Sequence, residues 1–330
     1  MGLSQGVDAQ TNIFVVNANG TRVFDKLDIA VQEAVAGDVI YLPAGDVVAG
    51  GEIVIDKKLS IIGAGWENDP DKGLRATVIK QNGYTTTIYF AKGSDGSLLY
   101  GCNLRSVQLN RYNDQSDDQN IQNVTIARNY TNGITLGINT ITNRNKNISI
   151  LENVIYSGYI YGYNAENCII SNNLISNGVY NLRHSIIANN ILGSISTSAF
   201  CEIKNNYFIY LYWYSGQETE YCNYYNNAFA NNAVISGKNR EANNLRNQSV
   251  NSTFQTTDNY IGQPKYCFLK NDSPCKNGGT DGTEIGIYGG SVPYKTGNAP
   301  FNLYVSRMNI RYTNSTDGLE IDMQVSVQER

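Results

Sequence analysis

Residues 123–129 read NVTIARN, and the chain then repeats the phrase as NISILEN at 147–153, NCIISNN at 167–173, HSIIANN at 184–190, CEIKNN at 201–206 and CNYYNN at 222–227. A degenerate copy, REANN, follows at 240–244. Every copy ends in an asparagine: Asn129, Asn153, Asn173, Asn190, Asn206, Asn227 and Asn244. The steps between them are 24, 20, 17, 16, 21 and 17 residues, so a constant strand alternates with loops of variable length. Self-similarity at such a period marks a solenoid, in which one unit cannot bury its apolar face alone and stacking buries it instead.

Taking the asparagine as position zero turns the repeat into a ruler. Position −3 holds Ile126, Ile150, Ile170, Ile187, Ile203 and Tyr224, and position +2 holds Thr131, Ile155, Ile175, Leu192, Phe208 and Phe229. Both rows are expected to face inward, with the bend between them at the asparagine. Asparagine tolerates the left-handed backbone that a tight bend needs. Its amide can also bond the equivalent amide of the next coil. Position −5 holds Val124, Ile148, Cys168, Ser185, Cys201 and Cys222, which makes three of the six cysteines small core residues. Cys201 with Cys222, and Cys267 with Cys275, are the pairs placed to consider a disulfide. In-register parallel neighbours rarely offer the required dihedral.

Ahead of the repeats, residues 24–36 (FDKLDIAVQEAVA) carry an apolar stripe at Phe24, Leu27, Val31, Ala34 and Val35, which predicts a helix ended by Gly37. Such a helix would lid the strand edges of the first coil. Short strand-like runs follow. The whole reads as an all-β, right-handed parallel β-helix over residues 1–300. Its capping helix is at about 24–36, its regular coils at about 104–250 and its closing segment at 258–294. Residues 301–330 alternate as two strands around a turn at 314–318. They predict a C-terminal β-hairpin, capping the solenoid or packing on its side.

The stretch LDIAVQEAVAGDVIYLPAG, followed by IVIDKKLSIIGAGW, resembles the start of pectin-lyase-like β-helix proteins, with a capping helix, Gly-Asp, a strand, Pro-x-Gly, and a strand closing on Ile-x-Gly-x-Gly. With the asparagine ladder the resemblance covers about residues 12–260. SPCKNGGTDGTEIGIYGG resembles the closing segment of bacterial secreted β-helix proteins. The resemblance implies an extracytoplasmic protein, secreted, periplasmic or on the cell surface, whose leader has been removed. It is specific for fold and weak for activity and points to no assigned enzyme family, so the expectation of a polysaccharide partner rests on an outward tyrosine face.

Composition bounds the function. Charged residues are 16% of the 330, the net charge is −4, and 24 tyrosines outnumber 9 phenylalanines. A chain with no clustered Lys and Arg does not suit nucleic acid. No apolar run approaches the roughly 20 residues of a membrane span.

The ruler also predicts an outer face. With +5 and +7 inward, as for Gly178 and Tyr180, positions +6 and +8 point out. They present Tyr159 and Tyr161, Val179 and Asn181, Ser196 and Ser198, and Tyr212 and Tyr214, with Tyr163 at one edge. Two tyrosine pairs three coils apart, about 14 Å at the usual strand spacing, with small residues between them, suit sugar rings that stack on aromatics and bond to amides and hydroxyls. Arg183, His184 and Glu218 at the edge are the candidate catalytic groups, Arg183 for an acidic sugar's carboxylate and His184 as general base. Asp114, Asp117 and Asp118 form the densest acidic loop and the candidate calcium site. Resemblance does not supply chemistry. Of the motifs carried by polygalacturonase-like enzymes, Asn-Thr-Asp, Gly-His-Gly and Arg-Ile-Lys are absent, Asp-Asp occurs only as Asp117-Asp118 in the acidic loop, and the one histidine sits in Arg-His-Ser. The leading expectation is therefore a glycan-recognising β-helix that needs no cofactor. A polysaccharide lyase or glycoside hydrolase, and a structural adhesin or stalk, are the alternatives.

Overall fold

The computed structural model describes residues 12–67, 75–110, 120–138, 143, 145–211, 218–256, 261–296, 304–313 and 318–326. Their strands stack into two long sheets. One, here the ladder sheet, starts with an antiparallel trio of Gly20–Phe24, Ile13–Asn17 and Val39–Tyr41. From Val39–Tyr41 onward every pairing is parallel, through Ser60–Ile62, Leu98–Tyr100, Thr125–Ala127 and so to Arg240–Ala242. The second sheet runs from Ile53–Ile55 through Tyr159–Glu166 and Leu174–Arg183 to Ala228–Phe229, again in parallel. The fold is an all-β parallel solenoid.

The inward rows follow the period-two alternation of strands. Ile126, Ile150, Ile170, Ile187, Ile203 and Tyr224 are fully buried in one continuous core, as are Ile155, Ile175, Leu192, Phe208 and Phe229. Each such side chain contributes about 1.5–3 kcal/mol through removal from water. The cysteine row lies in the same core, and all six cysteines are free and buried. The Cys201 N–H points at Cys222 Sγ at 3.4 Å.

The ladder is formed by the predicted asparagines. Nδ2 of Asn129, Asn153, Asn173, Asn190, Asn206 and Asn227 each donates to Oδ1 of the next asparagine at 3.0–3.1 Å. That same Oδ1 accepts the backbone N–H of the previous coil's asparagine at 2.8–3.0 Å. The bend itself is made one residue earlier than expected. The left-handed residues are Arg128, Glu152, Asn172, Asn189, Asn205, Asn226 and Asn243, with φ of 52–57°. The two tasks of bending and bonding therefore fall on neighbours, and the Asn-Asn doublets hold one asparagine for each. A second left-handed corner precedes the ladder strand at Asn123, Asn147, Asn167, His184, Phe200 and Tyr221.

The helix is shorter than its apolar stripe, covering Leu27–Glu33 with Leu27, Ala30 and Val31 buried. It stops at Ala34 because Asp38 Oδ2 takes the Val35 N–H at 3.1 Å. Asp28 reaches from it to the N–H groups of Gly50 and Gly51.

A feature outside the sequence reading is the use of position +1. Tyr130, Val154, Leu174, Ile191, Tyr207, Ala228 and Leu245 form an outward apolar row, with Phe254, Ile261, Cys267, Leu269, Cys275, Ile285 and Ile287 packed over it. The left-handed corner fastens this return segment. Asn172 Nδ2 donates to the Ile287 and Gly289 carbonyls, Asn226 Nδ2 to that of Gly278, and an Arg128 guanidinium N–H to that of Lys295. Tyr304–Thr313 and Gly318–Ser326 pair antiparallel as a separate two-stranded sheet.

Candidate functional site

The outer face of the second sheet is set by register. Ile134, Ile160, Val179 and Ile195 pair in one inward column. The neighbouring outward column runs Tyr89, Gln108, Thr135, Tyr161, Tyr180, Ser196, and a parallel one runs Thr87, Ser106, Gly133, Tyr159, Gly178, Ser194. Tyr180 is thus outward and Val179 inward, the reverse of the expectation. The turn after the ladder asparagine loses a residue from coil to coil here, so the inward residue is at +7 for Ile160, +6 for Val179 and +5 for Ile195. A one-residue slip moves a side chain to the other face.

The consequence is one contiguous cluster of tyrosines on adjacent coils. Ring centroids are 4.9 Å apart for Tyr159–Tyr180, 5.2 Å for Tyr159–Tyr161, 5.5 Å for Tyr161–Tyr180 and 6.1 Å for Tyr161–Tyr163. Tyr161 is the most open, at 37% exposed. Partial burial, then the neighbouring phenols of Tyr159, Tyr180 and Tyr163, push its hydroxyl pKa up, so the ring stays neutral. Tyr210 joins from two coils beyond Tyr180, across the coil of Gly193, its hydroxyl pushed up by burial and by Tyr159 and Tyr180. Two glycines let this layer close. A Cβ on Gly178 would lie 2.2 Å from the Ser194 carbonyl oxygen, and one on Gly193 would lie 2.7 Å from the Tyr210 hydroxyl. Tyr180 and Tyr210 escaped the reading from a fixed offset. Aligning the triplets Gly-Ile-Thr, Tyr-Ile-Tyr, Gly-Val-Tyr and Ser-Ile-Ser on their branched centres would have found Tyr180.

Not all predicted binding residues join the face. Ser196 lies in the outward column yet is only 2% exposed. Ser198 is 1% exposed, where its hydroxyl donates to the Ser196 carbonyl and accepts the Leu182 N–H at 3.1 Å. It is a turn-closing residue, and no groove floor is built from it. Asn181 is half-buried, with a left-handed φ of 55°. Tyr212 and Tyr214 lie outside the described residues, as do Asp114, Asp117 and Asp118.

The candidate catalytic groups sit at the corner between the sheets. Arg183 Nε is 3.9 Å from Glu166 Oε1, and its guanidinium lies 5.4 Å from the Phe200 ring centre. His184 is exposed and stacks on Phe200. Among the described residues no carboxylate hydrogen-bonds the imidazole, and no ion pair joins Glu218 to Arg183. Glu220 pairs with Lys238 instead, at 3.4 Å. Among the described residues the corner thus holds the Arg183 guanidinium against the Phe200 ring and the Lys238 ammonium against the Tyr221 ring, with no oriented acid–base pair of the kind that serves proton transfer. Hollows among the described residues lie elsewhere. One of about 250 Å³ lies between the ladder sheet and residues 290–292, and one of about 150 Å³ beside Tyr156. Among the described residues no group of three or more His, Cys, Asp or Glu could hold a metal ion, and no helix is long and apolar enough to cross a membrane.

Comparison of the chain with protein-family models and with curated proteins finds no match.

Proposed function

We propose that this protein is an extracytoplasmic solenoid of the right-handed, pectin-lyase-like kind that recognises a polysaccharide on the outer face of its second sheet. Tyr159, Tyr161, Tyr163 and Tyr180 are its stacking platform. The observation that carries the reading is the contiguity of these four rings on adjacent coils, at spacings of 4.9–6.1 Å. Aromatic faces take the apolar face of a sugar, and neutral phenols bond its hydroxyls. Thr87, Ser106, Gln108 and Thr135 continue the face on the N-terminal side with short or polar residues, which suits a chain lying along the solenoid. The right hand follows the strong preference of parallel strand connections. Buried thiols are inert, so the six free cysteines are compatible with an oxidising compartment.

The test is a glycan array followed by calorimetry on the best ligand. Tyr161→Ala and Tyr180→Ala are each expected to weaken binding about tenfold or more, equivalent to about 1.4 kcal/mol. Full binding by a folded double variant overturns the reading. Unsaturated ends or reducing sugars that appear with the unaltered chain and vanish with Arg183→Ala would establish a lyase or hydrolase instead.

A further inference from the structure

Arg128, Glu152, Asn172, Asn189, Asn205 and Asn226 share the left-handed bend that follows the ladder strand. All but one of them grip the return segment with their side chains. Arg128 donates to the Lys295 carbonyl, and Glu152 Oε2 accepts the Lys295 N–H at 3.2 Å. Asn172 donates to the Ile287 and Gly289 carbonyls, and Asn226 to that of Gly278. Asn205 bonds both the hydroxyl and the N–H of Thr280. Asn189 is the exception. It is 6% exposed, yet its Nδ2 makes no hydrogen bond among the described residues. Buried polar groups are as a rule satisfied, and one that is not calls for a reason.

Asn189 lines the hollow of about 250 Å³ between the ladder sheet and residues 290–292. That is slightly below the roughly 300 Å³ at which small-molecule sites begin, so the space suits a single ring. Its buried wall is polar. Glu152, 4% exposed, lies there with Asn172 and Asn189. The Ser171 hydroxyl joins them and donates to Asn172 Oδ1 at 2.6 Å, which leaves its oxygen able to accept. Burial lifts the Glu152 pKa against the opposing charges of Arg128 and Lys295, and Arg128 Nε lies 3.8 Å from Glu152 Oε2. The carboxyl group is thus balanced from within the wall, and the hollow calls for no ion. The mouth is apolar, with Ile169 and Val292 both exposed there. A few placed polar groups behind an apolar rim are the usual make-up of a small-ligand site. A ligand that suits both parts has several hydroxyl groups, an apolar face and no charge.

We propose that this hollow is a binding site, separate from the tyrosine face, that takes one uncharged polyhydroxyl ring of hexose size against Asn189, Glu152 and Ser171. It stands whether or not the tyrosine face binds a polysaccharide, since the two lie on different sheets.

The experiment is saturation-transfer NMR on the full chain with glucose, galactose, mannose and N-acetylglucosamine, followed by titration of the strongest. Transfer to at least one of them is expected, with the millimolar affinity usual for so small a ligand. Asn189→Gly keeps the left-handed bend open to the backbone and removes the amide. It should weaken binding about tenfold or more with the melting temperature little changed. Ile169→Ala with Val292→Ala alters only exposed side chains at the mouth and should also weaken binding. Tyr161→Ala with Tyr180→Ala should leave it as it is. Absence of transfer to all of these sugars overturns the proposal, and so does binding that survives both the Asn189 and the mouth variants. Binding lost in the tyrosine variant alone would assign the sugar to the tyrosine face, which overturns the proposal while supporting the function proposed above.

Discussion

The imidazole of His184 lies face to face with the ring of Phe200, their centroids 5.0 Å apart and their planes 8° from parallel. Phe200 repeats the arrangement with Tyr221, at 5.1 Å and 2°. All three residues have left-handed backbone, with φ of 47°, 57° and 54°. That conformation costs a residue with a Cβ about 1–2 kcal/mol, less for asparagine, while a ring pair returns about 0.5–1.5 kcal/mol. The stack thus offsets its own backbone strain. His184→Asn should change stability by no more than about 1 kcal/mol, since the eased backbone and the lost stack oppose each other. Phe200→Ala removes two stacks without easing the backbone and should cost about 1–3 kcal/mol. Urea unfolding of both variants reads the difference. A loss for His184→Asn larger than that for Phe200→Ala would show that the imidazole does more than stack.

Adjacent asparagines in one doublet should differ sharply. Asn190 Oδ1 accepts two hydrogen bonds from Asn173, and its Nδ2 donates to Asn206 Oδ1, all buried. Replacing it by alanine strands several buried groups, each worth about 1–3 kcal/mol, so Asn190→Ala should cost at least about 3 kcal/mol. Asn189 supplies the left-handed bend at φ 56°, and its Nδ2 has no hydrogen-bond partner among the described residues. Glycine takes that backbone freely, so Asn189→Gly should stay within about 1 kcal/mol. Equal losses in a denaturant titration would refute this division of labour.

The doublets also show where the sequence was legible. The ladder and the inward isoleucine rows were readable because strand and stack repeat without slippage on that side of the coil. The outer face beyond the bend was read in the wrong register at Val179 and Tyr180, because turn length drifts by a residue where period two forgives nothing. The +1 row carried its own signal. Seven outward positions from Tyr130 to Leu245 contain no polar side chain other than tyrosine hydroxyls, which is what a covered surface looks like. The covering segment, 261–296, repeats nothing, so its docking could not be inferred from periodicity. Ser198 was misplaced for a related reason, since its hydroxyl closes a turn in the manner of the ladder asparagines, and a short polar residue at a bend has the composition of a surface residue.

Acid should loosen the N-terminal end through Asp38. Its buried carboxylate accepts hydrogen bonds from the Asn17 amide at 3.0 Å, the Arg22 guanidinium at 3.0 Å and the Val35 N–H at 3.1 Å. Burial raises its pKa, but the Val35 N–H, the Asn17 amide and the Arg22 charge together outweigh that and hold it below the usual value. A carboxyl with a lowered folded pKa binds protons more readily in the unfolded chain. Its stabilisation is therefore complete above the unfolded value of about 4 and is lost as pH falls through the lower folded value. Asp38→Asn should be less stable than the unaltered chain by about 2 kcal/mol near neutrality, the scale of one or two hydrogen bonds to a charged group. The gap should narrow as pH drops below about 4. Urea midpoints of both proteins from pH 7 to pH 3 measure it, with the other carboxyls common to each. A gap that holds steady or widens in acid would mean that Asp38 is not a tightly held anion, and that the end of the helix is fixed by Asp28 and the buried Leu27, Ala30 and Val31 alone.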